Sequence, residues 1–391
     1  MSTLRAVDEV VDLVSSLIRF DTSNTGELST TKGEEECARW VAQRLEEAGY
    51  VTEYVESGQP GRGNVFARLE GDPGNTRGTL LLHTHLDVVP AEPADWSVHP
   101  FSGSVSDGYI WGRGAVDMKD MDAMILAVVR AWARGGVRPR RDVVVLFLPD
   151  EEAGSVHGSR WLVEHRPEFF EGVTEAIGEV GGFSLTVRDD LRLYLVQVAE
   201  KGLAWLNLIS DGTAGHGSMR NPDNAVTALA GAVARIGAYE WPHRIHPAQQ
   251  AFLDTVEDAL GIQINADSVE ESLARLGTVA RMVGATMSNT ANPTMLKAGY
   301  KVNVIPGQAV AGIDGRFIPG CQDEFFATIT DLIGDKVRYE LVSHQDSVET
   351  EFSGALVEAM QSCLSAEDPQ AQAVPYLMSG GTDGKAWQKL G

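Results

Sequence analysis

The stretch LLLHTHLDVVP, residues 80–90, decides how the rest of the chain is read. An apolar strand runs straight into His85-Leu86-Asp87. Alternate residues of a strand point to one face, so His85 and Asp87 lie side by side. A metal-bound imidazole needs its second ring nitrogen held by an acceptor, and a carboxylate two residues on can supply one. His83 precedes His85 by two residues and shares its face. The two imidazoles could share one metal, or His85 alone could bind while His83 packs. The pairing of His85 with Asp87 is the better reading, because it gives one imidazole its orienting acid.

Further acids follow downstream. Asp117 lies in WGRGAVDMKDMDAMI, after Gly112 and Gly114 and before a helical pattern. Taken alone it reads as a helix cap, and Asp120 and Asp122 read as solvent-facing. Asp150-Glu151-Glu152 follows VVVLFLP, residues 143–149, the most continuous apolar run. Consecutive acids at a strand end point to opposite sides, so one can bind metal while its neighbour aims at a water. Glu179, in AIGEVGGFS, sits at another strand end before glycines. Together these residues describe a metal site assembled from strand ends, with spare carboxylates to move protons.

The elements around them alternate. Apolar residues at helical spacing, Val7, Val10, Val11, Val14, Leu17 and Ile18, predict a helix over 4–19. A second helix over 33–48 is closed by Gly49. Strands are predicted at 51–56, 64–69, 79–83, 143–149 and 174–178, with helices at 119–134 and 158–165. Strands alternating with helices indicate an α/β sheet covered on both faces, with ligands at strand ends. The pattern changes near residue 195. LYLVQVAEKGLAWLNLIS reads as one or two strands, 224–238 as a helix, and 240–290 as irregular to helical. Residues 294–317 read as a strand pair broken at Ile305-Pro306-Gly307. A helix at 322–334 and a strand at 337–342 complete a βαββαβ order, which suits a small sheet with helices on one face. After about residue 346 the first style resumes, with a helix at 352–364. The expected organisation is a discontinuous α/β domain, residues 1–194 and 346–391, with a second domain, 195–345, inserted.

Length and composition agree. A chain of 391 residues exceeds one ordinary core. Hydrophobic residues make up 43% and charged residues 22%, as in a globular protein. The net charge of −23 repels phosphate backbones and argues against a nucleic-acid partner. No apolar run reaches the about 20 residues that span a bilayer, and the N-terminal segment lacks a signal-peptide core. A cytoplasmic location with no membrane partner is expected. Cys37, Cys321 and Cys363 are odd in number and far apart, which suits buried thiols better than a disulfide framework or a metal cluster.

The motifs HTHLDVVP, WGRGAVDMKD, LPDEEAGS, GEVGGFS, GTAGHGS, NVIPG, DGRFIPG and SGGTDG occur in this order. In them the chain resembles the dinuclear zinc peptidases and amidohydrolases. That family includes acetylornithine deacetylase, succinyl-diaminopimelate desuccinylase, aminoacylases, carboxypeptidases and dipeptidases. The resemblance implies a zinc-exopeptidase-like α/β catalytic domain with a mostly parallel sheet, and an inserted ferredoxin-like α+β lid and dimerisation domain. It implies two Zn²⁺ per subunit, with Co²⁺ or Mn²⁺ as substitutes. By resemblance His85 and Glu179 hold one metal and Glu152 holds the other. Asp117, followed in the family by a cis peptide, bridges both. Asp87 orients His85, and Glu151 is the general base. His216, which by itself reads as a loop histidine in a glycine-rich turn, would reach the partner subunit's site in a homodimer and stabilise the oxyanion. Arg316 resembles the residue that grips a substrate carboxylate. Asn303 resembles a polar contact in the same pocket, and Ser379, Gly380, Gly381 and Thr382 a substrate loop with amides facing an anion.

The family carries a last metal-binding histidine after the SGGTDG-like stretch. Here all nine histidines lie at or before His344, and the sequence stops at Gly391. The metal position using Glu152 is therefore expected to lack an imidazole within these residues, with a tail beyond Gly391 as the favoured source. The expected activity is hydrolysis of a peptide or amide bond next to a free carboxylate. An N-acyl amino acid deacylase is the alternative. A non-catalytic homologue that binds a small ligand is the alternative of another class, and Glu151 argues against it, since a binding protein has no use for a general base.

Overall fold

The computed structural model describes residues 5–261 and 283–390. They divide into two compact units, residues 1–179 with 382–391, and residues 180–381.

The first unit begins with helices α1, Ala6–Ile18, and α2, Glu35–Glu47. The buried stripe of α1 is Leu13, Val14, Leu17 and Ile18, whereas Val7 and Val11 are exposed. The helix thus presents a face one step round from the expected valine row. Strands β1, Thr52–Glu56, β2, Gly63–Leu69, and β3, Thr79–His85, follow. Then come a short hairpin, β4, Ser104–Ser106, and β5, Tyr109–Trp111, and the helix α3, Lys119–Gly135. Helix α3 ends at Gly136 in the left-handed conformation, φ 63°, which a residue with a Cβ adopts less readily. Strand β6, Val143–Leu148, helix α4, Ser159–His165, and strand β7, Val173–Ile177, complete the layer.

The strands order as β1-β2-β6-β3-β7. Strands β6, β3 and β7 are mutually parallel. Strands β1 and β2 run antiparallel to their neighbours. The parallel arrangement holds in the half of the sheet that carries the acids, so the ends of β3, β6 and β7 open on the same edge. All six residues of β6 are buried. Val143, Val145 and Phe147 join the core under α1, α2 and α3, while Val144, Leu146 and Leu148 pack with Leu162, Phe169 and Phe170 on the other face. Burial on both faces is why the strand reads as an unbroken apolar run.

In the second unit β8, Gly181–Arg188, β9, Leu191–Glu200, and β10, Gly202–Asp211, come first. They are followed by β11, Gly215–His216, α5, Ala225–Gly237, and α6, Pro247–Leu260. The rest comprises β12, Thr290–Ala298, β13, Val304–Ile305, β14, Gln308–Phe317, and α7, Gln322–Ile333. The last elements are β15, Arg338–Gln345, β16, Val348–Glu349, α8, Ala355–Glu367, and β17, Ala371–Met378. Strands β12-β14-β10-β15 form an antiparallel sheet with α5 and α7 in its core, as the βαββαβ order predicts. Strands β8, β9, β16 and β17 form another sheet, on which α6 packs through Phe252, Leu253 and Val256. This sheet falls in the second unit, so the breaks between compact units lie at 179/180 and 381/382. Residue 195, near which the sequence pattern changes, lies inside β9. The expected 240–290 segment contains helix α6 and the approach to β12, and its residues 262–282 lie outside the described residues.

Cys37 is buried, Cys321 partly so and Cys363 exposed, and all three are free thiols. The expectation of buried thiols therefore holds fully for Cys37 alone. Among the described residues no helix is long and apolar enough to cross a membrane.

Candidate metal centre

His85 is the last residue of β3 and is buried. Its Nδ1–H donates to the main-chain oxygen of Asp87 at 3.0 Å, and Asp87 Oδ1 lies 3.5 Å away. The acceptor on Nδ1 thus comes from Asp87, but from its main-chain carbonyl, with the expected carboxylate farther off. The ring's Nε2 faces three acids, Asp117 Oδ1 at 3.1 Å, Glu179 Oε2 at 3.4 Å and Glu151 Oε2 at 3.9 Å. Donor atoms of His85, Asp117 and Glu179 all lie within 4.8 Å of one another. One imidazole nitrogen with carboxylate oxygens is a donor set that suits zinc and its divalent neighbours.

Asp117 does not cap the following helix, whose N-cap is Met118 with no side-chain bond. Its carboxylate is turned to His85 instead, and the peptide bond after it is cis. His83 is buried and meets Trp387 edge-on at 5.1 Å, so it packs rather than joining the cluster. A Cβ at Gly178 would fall 2.1 Å from the His83 ring, which explains a glycine immediately before Glu179. Asp122 is fully buried, contrary to the solvent-facing reading. It shares the inward stripe of α3 with Lys119, Ala123 and Leu126, and burial pushes its carboxyl up to about 7.

Glu151 and Glu152 lie on a 3₁₀ turn after β6. Both backbone N–H groups donate to Asp87, from Glu151 to Oδ1 at 3.0 Å and from Glu152 to Oδ2 at 3.2 Å. Asp87 therefore grips the turn as well as the ring. Glu152 is outside the three-residue cluster, and its Oε1 accepts the N–H of Val89 at 3.2 Å.

The site is crowded with negative charge. Burial, then Glu179, raises the Glu151 carboxyl well above the usual range. Burial and Asp117 push Glu152 up to about 7. Burial opposes a charge on His85, but Asp117, Asp87 and Glu179 outweigh it and raise the imidazole well above its ordinary value.

Sequence reasoning missed Asp383, which is buried in the same unit and accepts the Ser159 hydroxyl. Burial pushes it up to about 7, against the Ser155 and Ser159 hydroxyls, and it adds to the charge raising Glu151. Its signal was present in SGGTDG, one residue past Thr382. Thr382 is itself buried, and its Oγ1 accepts the N–H of Gly384 at 2.9 Å, at the start of the turn Gly384–Trp387. Asn24, Glu34 and Arg62, all buried, were also missed, and Asp150, buried too, was read only as the first member of the acidic run.

The remaining expected residues lie in the second unit. Ser379, Gly380 and Gly381 follow β17. His216 is exposed on β11, paired with β13, and the N–H of Gly217 donates to Asn303 O at 2.9 Å. The Ser218 N–H donates to His216 Nδ1 at 3.3 Å, with the Ser218 hydroxyl 2.8 Å from the same atom. Arg316 donates through Nε and a terminal nitrogen to both oxygens of Asp314, at 2.7 and 3.2 Å.

The chain belongs to peptidase family M20/M25/M40, whose model matches residues 81–390. It is 31% identical over 289 residues to the N-fatty-acyl-amino acid synthase/hydrolase PM20D1 of Xenopus tropicalis, covering 70% of this chain and 54% of that protein. It is 30% identical over 285 residues to aminoacylase-1 of Sus scrofa, covering 71% of this chain and 60% of that one. The chain thus spans little more than half the length of these relatives. A solved M20 family metallo-carboxypeptidase from Sulfolobus solfataricus shares the fold. It superposes with a TM-score of 0.70 at 18% identity, over 97% of this chain and 88% of that one.

Proposed function

We propose that this protein hydrolyses a peptide or amide bond next to a free carboxylate, using divalent metal held by His85, Asp117 and Glu179. The observation that carries the reading is that cluster, with the Glu151 carboxylate 3.9 Å from His85 Nε2. A metal bound there supplies polarisation of the scissile carbonyl and a water acidic enough to lose a proton near neutral pH. Glu151 Oε2 would take a proton from the water that adds to the scissile carbonyl carbon and return it to the amide nitrogen as the C–N bond breaks. Asp87 keeps the His85 ring and the Glu151–Glu152 turn in register.

The proposal extends to two zinc ions per subunit, with Co²⁺ or Mn²⁺ as substitutes, Asp117 shared and Glu152 serving the second. Asp117 is the second cause, after burial, of the raised Glu152 carboxyl, which supports their sharing a cation. Arg316, Asn303 and the residues Ser379 to Thr382 are proposed to hold substrate. The chain is proposed to form a homodimer through residues 195–345, in which His216 serves the partner's site. The Ser218 N–H needs an acceptor at His216 Nδ1, so the ring proton sits on Nε2, where it can be donated to an oxyanion.

Peptides are the first reading for substrate. N-acyl amino acids are the second, favoured by what the relatives at 31% and 30% identity are called. The test is a hydrolysis assay with dipeptides and N-acyl amino acids in added Zn²⁺ or Co²⁺. Turnover of neither class by the metal-loaded protein refutes the proposal, and the ratio between classes separates the two readings.

A further inference from the structure

Asp87 is held from below by a buried polar chain that reaches well away from the metal ligands. Asn24 Nδ2 donates to Asp87 Oδ2 at 2.8 Å and to Asp150 Oδ1 at 3.1 Å. On its other side Asn24 Oδ1 accepts from Arg62 at 3.3 Å, from the Gly26 N–H at 3.0 Å and from the Thr31 hydroxyl at 3.2 Å. The Arg62 guanidinium also donates to Asp150 Oδ1 at 3.0 Å and to Glu34 Oε1 at 2.5 Å. Asp150 Oδ2 accepts the His157 N–H at 3.0 Å. Asn24, Glu34, Arg62, Asp87 and Asp150 are each 3% exposed or less.

The chemistry of these groups leaves one arrangement. Arginine has donors only and a carboxylate has acceptors only. Asn24 stands between three donors on one side and two carboxylates on the other. Its amide must therefore present oxygen to Arg62 and nitrogen to Asp87. Without Arg62 the amide loses a charged donor that fixes this orientation. A flipped amide would set oxygen against the Asp87 carboxylate. Asp87 in turn accepts both N–H groups of the Glu151–Glu152 turn and faces His85 Nδ1. A buried guanidinium is costly to desolvate, and packing alone would not need one here.

We propose that Arg62 and Asn24 are positioning residues of the metal centre. They set the orientation of the Asp87 carboxylate, and through it the His85 ring and the turn bearing Glu151 and Glu152. The inference rests on the reading of His85 as a metal ligand.

The test measures Zn²⁺ affinity by chelator competition, and the visible spectrum of the Co²⁺-loaded protein, for wild type, Asn24→Leu, Arg62→Met and Arg62→Lys. Folding is checked by circular dichroism at a temperature well below each unfolding midpoint. Outer groups that orient metal ligands typically change affinity about 10–100-fold, and a loss of that size is expected for Asn24→Leu and Arg62→Met. The Co²⁺ spectrum should shift, and kcat should fall with KM near wild type. Arg62→Lys keeps the charge without the fork, so an intermediate loss is expected. Should the first two variants fail to fold, Arg62→Lys decides. Wild-type Zn²⁺ affinity and Co²⁺ spectrum in a folded variant, with only a lower melting temperature, overturn the proposal. A wild type that binds Zn²⁺ but hydrolyses nothing refutes the hydrolase reading and leaves the affinity comparison standing. A wild type that binds no metal refutes both.

Discussion

Asp87 Oδ1 accepts the backbone N–H of Glu151 at 3.0 Å, so the acid that orients His85 also fixes the residue proposed to move the proton. Three strand ends meet at that carboxylate, those of β3, β6 and, through His85 and Glu179, β7. Although burial opposes its charge, hydrogen bonds from His85, Asn24 and the Glu151 N–H hold its pKa below the usual range. Asp87→Asn should disturb ring and turn together, because an amide nitrogen would face at least one donor. Zn²⁺ affinity is expected to fall about 10–100-fold, with about 1–3 kcal/mol of stability lost to unsatisfied buried groups. Chelator competition and urea unfolding measure the two effects. Affinity equal to wild type would show that the ring is oriented by the Asp87 carbonyl alone.

Glu151→Gln keeps the size and the backbone bond to Asp87 but cannot accept a proton. Turnover should fall about 10²–10⁴-fold, the usual contribution of a general base. Metal content should stay near wild type, read by atomic absorption. Glu152→Gln should lose metal first. A Glu151 variant that loses metal yet keeps its activity per bound ion would exchange the two roles.

Glu34 shares the Arg62 guanidinium with Asp150. Burial, reinforced by Asp87, pushes its carboxyl up to about 8, and Arg62 offsets this only in part. A carboxyl with a higher pKa folded than unfolded binds its proton more tightly in the native state. Its contribution to stability is complete below the unfolded value and is lost as pH rises through the folded one. The stability of metal-free wild type relative to Glu34→Gln should therefore decline as pH rises from about 4.5 to about 8. The slope should approach about 1.4 kcal/mol per pH unit. Urea unfolding of both proteins in chelator checks this, and a difference that is flat across the window would mean Glu34 is ionised throughout.

The placement of His85, Asp87, Glu151 and Glu179 at one edge of the sheet was legible because each lies at or just after the end of an apolar strand. Val143 to Leu148 left no doubt of a doubly buried strand, and His85 and Asp87 had to share a face. What supports those residues was not legible. Asn24 meets Asp87 across 63 residues of sequence, and no local pattern announces such a bond. Asp122 carries the charge of a surface residue but the position of a core one. In the fold, β17 was missed because Pro375 interrupts its pattern. The structure accommodates the proline on a strand that, among the described residues, is bonded only to β9, where a missing N–H costs little. The β4–β5 hairpin has three residues per strand and mostly exposed side chains, too short and too wet to show an alternation.

The last prediction separates a histidine acting across a dimer from one acting within its own chain. His216 is exposed, with a protonated Nε2 implied by the bond at Nδ1. A well-placed donor to a developing oxyanion can contribute about 2.7–4 kcal/mol, so His216→Ala should lower kcat about 10²–10³-fold while folding and metal content stay unchanged. Mixing that protein with Glu151→Ala tests the direction. If His216 acts in trans, a heterodimer has one site with both lesions and one with neither. A randomly exchanged equal mixture should then recover about a quarter of wild-type activity, since half the dimers are mixed and each has one intact site. If His216 acts in cis, every site keeps one lesion and mixing restores nothing. Absence of recovery, with heterodimers demonstrated by native mass spectrometry, would assign the histidine to its own subunit or remove it from the reaction.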